Sequence, residues 1–139
     1  MLVSTRSRYA MRVLLELAKD SSGEFIPMNT IANKLDISLK YVEHIMPLLC
    51  KAGYVKGVHG RGGGYKLDKK PEEMDLFSLL EIIEGDLAPV ACLSSRKKEP
   101  PCKKDCTILP IWEDFYSKTK SYFEKIHLSD LLNENMGCA

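Results

Sequence analysis

The chain has no apolar run long enough to cross a bilayer. Its longest, around Leu76–Ile83, is far short of the roughly 20 residues that a spanning helix needs. Histidine is scarce, with 3 scattered among 139 residues. No carboxylate pair or nucleophile–base arrangement stands out, so an enzyme has little support. The glycines at 60 and 62–64 are not followed by a Lys-Ser/Thr pair opening onto a helix, which argues against a nucleotide-phosphate loop. There is no internal repeat and no low-complexity tract. Arg6, Arg8 and Arg12 lie near apolar residues at the start of the chain, as in a targeting peptide. Glu16 interrupts that run, however, and no small-residue cleavage site follows. The expectation is a cytoplasmic chain, where thiols stay reduced. An odd count of 5 cysteines also weakens a simple disulfide framework.

What is present suits one ordinary globular domain: 45% hydrophobic and 28% charged residues in a length that can bury a real core. The net charge of +1 hides an asymmetry. Residues 1–70 carry 12 Lys and Arg against 6 Asp and Glu, and residues 71–139 carry 8 against 13, so +6 and −5 make up the total. A basic first half points to a polyanionic partner, although uneven surface charge alone would give the same numbers.

Periodicity places an amphipathic helix over 5–19, with Tyr9, Ala10, Val13, Leu14, Leu17 and Ala18 on its apolar stripe. A short helix over 29–35 follows, then a tight turn with Ser38 as N-cap. A second helix runs from about Leu39 to Ala52 and stops at Gly53. Pro47 inside it predicts a bend or a restart. "YVKGV" and "GYKLD" flank "HGRGGG" and read as a β-hairpin with a glycine-rich tip. Leu76–Gly85 is another short helix. Residues 108–126 form a long helix with Ile111, Trp112, Phe115, Tyr122 and Phe123 exposing a wide apolar surface. "LSDLL" closes the fold, and "NENMGCA" is a tail expected to fray.

The expected fold is therefore mainly α with a small β-hairpin wing: a winged helix-turn-helix followed by a long C-terminal helix suited to dimerisation. The divisions are a DNA-binding domain over 1–70, a connecting helix and cysteine-containing loop over 71–107, and a dimerisation helix and tail over 108–139. In this architecture the third helix enters the major groove and the hairpin reaches the backbone or minor groove. Ser38, Lys40, Tyr41, Glu43 and His44 would then face base edges. His59 and Arg61 would extend from the wing, whose glycines permit close approach to DNA. Ser4, Thr5, Arg6, Arg8 and Tyr9 would supply hydroxyls and cations for phosphate oxygens. Each has a plain alternative: hairpin glycines as turn chemistry, Tyr41 as core, His44 as an ordinary surface residue. The ordered combination carries the weight.

"STRSRYAMRVLLELA", "IANKLDISLKYVEHIMPLLCKAGYVKGVHGRGGGYKL" and "FSLLEIIEG" together resemble the Rrf-two family of bacterial transcription regulators, to about residue 132. The stretch from Ile37 through Tyr65 is its most specific part. The resemblance implies a homodimeric DNA-binding regulator, read as a repressor, acting on double-stranded DNA at an inverted-repeat operator and using helix 108–126 as the dimer interface. No membrane association is implied.

Cys92, Cys102 and Cys106 lie within fifteen residues, among prolines, serines and lysines that bury little apolar surface. By residue chemistry alone a metal or cluster site, a disulfide and chance compete. The resemblance implies an iron–sulfur cluster, [2Fe–2S], on these three cysteines, since many family members carry three there. Lys97, Lys98, Lys103 and Lys104 would favour thiolates, and zinc is the alternative metal. Cys50 reads as a packing residue and Cys138 as a tail thiol. The sequence departs from the family's cluster-binding pattern. Its cysteine gaps are nine and three residues, Leu109 stands where a histidine ligand is found, and Arg8 lies where some members place an acidic ligand. That leaves His127, Glu113 and Cys138 as candidates for a fourth ligand. His59 replaces a frequent wing arginine, a role open to Arg61. A cluster-free regulator of the same fold, controlled by a partner enzyme or by thiol oxidation, is the alternative.

Overall fold

The structure is a computed structural model that describes residues 3–96 and 105–133. Helices α1 (Thr5–Lys19), α2 (Met28–Leu35) and α3 (Leu39–Lys51) come first, then strands β1 (Val55–Val58) and β2 (Gly64–Leu67). Helices α4 (Leu76–Glu84), α5 (Leu109–Glu124) and α6 (Leu128–Leu132) complete it. Short 3-10 turns occupy Pro71–Glu73 and Ala91–Leu93. The expected element order is present, with ends agreeing to within about two residues. The Asn133–Ala139 tail lies outside the described residues beyond 133.

Local chemistry accounts for the helix ends. The Ser38 hydroxyl accepts the Lys40 N–H at 3.2 Å and caps α3, and the Asp75 carboxylate accepts the Ser78 N–H at 2.8 Å and caps α4. Between α2 and α3, Asp36 adopts a left-handed conformation (φ 51°), which a short polar side chain tolerates. This makes the tight turn of the helix-turn-helix. Pro47 does not restart α3, which is continuous from Leu39 to Lys51. Pro47 and Glu43, four residues before it, lie on the exposed face. Val42, Ile45, Met46 and Leu49 on the other face are completely buried, and their packing outweighs one missing backbone bond.

The two strands pair antiparallel, Val55 opposite Leu67 and Val58 opposite Gly64. A third backbone joins them: Ile26 and Tyr65 exchange N–H···O bonds of 2.9 and 2.8 Å, tying the wing to the residue before Pro27 and α2. Gly64 makes this possible. Its φ is 155°, and a Cβ there would collide with the Ile26 carbonyl and stand 2.7 Å from the Pro27 nitrogen. Two hydrogen bonds of 2.9 Å, Leu76 N–H to the Ile126 carbonyl and Leu128 N–H to the Met74 carbonyl, likewise tie the start of α4 to the α5–α6 link.

One apolar core results. Ala10, Val13 and Leu14 of α1, Ile31 of α2 and the buried face of α3 share it with Met74, Leu79 and Leu128. A smaller cluster of Phe77, Leu80 and Leu87 receives Tyr116 and Phe123 from α5. Otherwise α5 is unlike the other long helices: it has no buried residue. Ile111, Trp112, Phe115 and Tyr122 are 63%, 37%, 43% and 63% exposed. An open groove of 590 Å³ runs along the helix, lined by Ile111, Phe115, Tyr122 and Phe123 among others.

Candidate nucleic-acid interface

The burial of α3 decides what it can present. With Val42, Ile45, Met46 and Leu49 inward, Lys40, Tyr41, Glu43 and His44 all project into solvent from its N-terminal half, and Ser38 is exposed beside them. These are the positions expected to meet base edges. Tyr41 is 40% exposed and so is not core. Its ring meets that of Tyr9 edge-on, with centroids 5.1 Å apart, which joins the surfaces of α1 and α3 into one face. Arg12 also stacks on Tyr9. Its guanidinium lies 5.7 Å from the Tyr9 centroid and donates to the Leu35 carbonyl at 2.7 Å, filling an orphan acceptor at the end of α2.

The start of α1 carries the other expected contacts. Arg6 and Arg8 are exposed and Thr5 is half-buried; Arg8 Nη2 donates to Thr5 Oγ1 at 3.4 Å. Ser4 is more committed than its sequence position suggests. Its hydroxyl accepts the Ser7 N–H at 3.3 Å, and its own N–H donates to Glu84 Oε1 at 2.8 Å. Sequence reasoning missed Glu84, because its partners lie 80 and 77 residues away. Burial pushes the Glu84 carboxyl up, but the hydrogen bonds from Ser4 and Ser7 and the nearby Arg6 charge prevail and hold it below the usual carboxylate range.

At the wing tip His59 and Arg61 are both exposed. The glycines around them serve the hairpin itself. Gly60 and Gly62 have positive φ with open space about them, whereas a Cβ on Gly63 would strike the Val58 carbonyl. The Gly63 N–H closes the turn onto the Gly60 carbonyl at 3.0 Å.

The cysteine segment is described only at its ends. Cys92 lies in the 3-10 turn Ala91–Leu93. Cys106 carries a free, half-buried thiol, and its carbonyl accepts the Leu109 N–H at 3.3 Å at the start of α5. Cys102, Lys97, Lys98, Lys103, Lys104 and Cys138 lie outside the described residues. Among the described residues no three His, Cys, Asp or Glu side chains converge on a metal position. Of the candidate fourth ligands, His127 stands at the start of α6, where its backbone N–H donates to the Asp130 carboxylate at 2.8 Å. Asp86 holds the first part of the segment by accepting from the Ala88 N–H at 2.9 Å and from the Ser94 hydroxyl. Cys50 packs against the main core, and burial raises its thiol pKa, as befits a packing residue.

Comparison with known proteins agrees with this geometry. A family model described as "Iron-dependent Transcriptional regulator", the Rrf2 family, matches residues 3–134. Protein rrf2 of Nitratidesulfovibrio vulgaris is 33% identical, over 99% of this chain and 91% of that protein. The structure of CymR, the global cysteine regulator of Bacillus subtilis, superposes with a TM-score of 0.76 at 25% identity, covering 95% of this chain and 96% of CymR. The T. potens IscR structure does so with a TM-score of 0.73 at 25% identity, covering 100% and 93%. No helix among the described residues is long and apolar enough to cross a membrane. With its winged helix-turn-helix, its outward-facing third helix and a family match over nearly its whole length, the chain belongs to the Rrf2 family and is a DNA-binding transcriptional regulator, not an enzyme.

Proposed function

We propose that the chain is a homodimeric, cytoplasmic repressor that reads an inverted-repeat operator and whose DNA binding is governed by the cysteine segment. The observation that carries the DNA reading is the one-sided burial of α3. Its apolar face anchors it while Lys40, Tyr41, Glu43 and His44 stand free to enter a groove about 12 Å wide. Ser4, Thr5, Arg8, Tyr9, His59 and Arg61 flank that helix as backbone contacts. The apolar groove of α5 supports the dimer, because a helix with no buried residue and four exposed large hydrophobics needs cover. Two-fold symmetry then requires half-sites about 34–36 Å apart or a multiple of it.

For the segment, the donor chemistry fits a [2Fe–2S] cluster on Cys92, Cys102 and Cys106. Cys106 stands just before the N-terminus of α5, and thiolates are the usual ligands of such clusters. A bound cluster would supply a redox-labile crosslink between the two ends of the segment. Asp86 and Ser94 hold one end against α4, and α5 carries the other. The likeness to a cysteine regulator favours a second reading: the same fold without a cofactor, controlled by thiol oxidation or by a partner enzyme.

Anaerobic purification with iron and sulfide analysis and a visible spectrum separates the two. Cluster binding predicts a coloured protein that loses its colour on replacing Cys92, Cys102 or Cys106 by Ala and keeps it on replacing Cys50. A colourless protein that binds its operator fully when reduced and poorly when oxidised establishes the second reading. For DNA, Arg61→Ala should weaken all sequences alike and lower the salt slope by about one, whereas Glu43→Ala should change sequence preference. Wild-type behaviour in both would remove α3 and the wing from the DNA.

A further inference from the structure

Glu84 ends α4, outside the helix-turn-helix, yet it completes the first turn of α1. Its Oε1 accepts the Ser4 N–H at 2.8 Å and the Ser7 hydroxyl at 2.5 Å. Ser7 is 1% exposed and is the buried polar residue of the described chain, so removing this carboxylate takes from a buried hydroxyl the acceptor it has. A negative charge at a helix N-terminus also complements the orphan N–H groups there. The same turn bears Thr5 and Arg8, and Tyr9 beyond it touches Tyr41 of α3. On the other side, Gly85 is covered by the Arg96 guanidinium, and Asp86 grips Ala88 and Ser94. Three consecutive residues therefore hold the start of α1 and the segment that contains Cys92.

We propose that Glu84 is a positioning residue for DNA binding, fixing the end of α1 that presents Arg8 to phosphate and joining it to the cysteine segment. This rests on the reading of Arg8 as a phosphate contact. Loss of the carboxylate removes the acceptor shared by Ser4 and Ser7, so the first turn frays and Arg8 no longer has a set position.

The test measures binding of the full chain to operator and to random duplex across a salt series. Glu84→Ala should weaken both about tenfold and lower the salt slope by about one, the loss of one phosphate contact. Glu84→Gln should restore binding, because an amide oxygen can accept both hydrogen bonds. In a double-mutant cycle, Arg8→Ala added to Glu84→Ala should cost little more, since the contact is already lost. Should Glu84→Ala fail to fold, Ser7→Ala serves in the same cycle with a smaller loss. Additive losses from Glu84 and Arg8, wild-type binding by Glu84→Ala, or a Glu84→Gln as impaired as Glu84→Ala would each overturn the proposal. If Arg8→Ala in the wild-type chain changed nothing, the proposal would fall because its DNA-face premise had failed, an outcome distinct from failure at Glu84.

Discussion

Tyr9 of α1 and Tyr41 of α3 meet edge to face, their centroids 5.1 Å apart and their planes at 87°. This contact lies between the first helix and the exposed N-terminal half of α3. Such pairs contribute about 0.5–1.5 kcal/mol beyond simple area burial, and the exposure of Tyr41 places this one toward the lower end. Tyr9→Leu and Tyr41→Leu should therefore destabilise the fold less together than the sum of the two, by about 0.5 kcal/mol in urea unfolding. Additive costs would show that the rings are adjacent without being coupled.

Gly64 and Gly60 provide a contrast within one hairpin. Both have positive φ, so an alanine at either position is strained. Only at Gly64 does the new Cβ also meet backbone, at Ile26 and Pro27. Gly60→Ala should cost about 1 kcal/mol, the scale of left-handed strain. Gly64→Ala should cost clearly more, because it must also break the Ile26–Tyr65 bridge. Denaturant midpoints with unchanged slopes would measure the difference.

Trp112 and Phe115 lie on the surface of the subunit rather than in its core. Replacing either by Asp should therefore give a folded monomer, seen by light scattering with an unchanged helical circular dichroism spectrum. An unfolded chain would place these residues in the core instead, and a folded wild-type monomer would dispose of the dimer.

Two carboxyls make the stability depend on acid. Asp86 is held below its ordinary value by the Ser94 hydroxyl and the Ala88 N–H. At Glu84 the cost of burial is outweighed by Ser4 and Ser7. A depressed folded-state pKa means that the stabilisation is present above the unfolded carboxylate value and is lost as pH falls through the lower, folded one. Thermal stability should therefore drop on acidification through and below the ordinary carboxylate range. Glu84→Gln should flatten part of that drop, since an amide does not titrate. An identical acid limb in the variant would show that Glu84 carries no such linkage.

The sequence by itself determined the order and limits of the elements, since helical period, Ser38 as cap and Gly53 as stop are read over a few residues. It also showed which face of α3 is apolar, and so which side chains were left exposed to solvent. A restart at Pro47, one of the two outcomes the sequence suggested, does not occur, because the burial of Val42, Ile45, Met46 and Leu49 is not a local quantity. Tertiary structure alone decided that Gly64 answers to Ile26, that the α5–α6 link docks on Met74 and Leu76, and that Glu84 caps the buried Ser7 hydroxyl from 77 residues away. The physical reason is the same in each case. Periodicity shows that a face or a polar group needs a partner, but which distant residue supplies it is settled only when the chain closes on itself and every buried donor must find its acceptor.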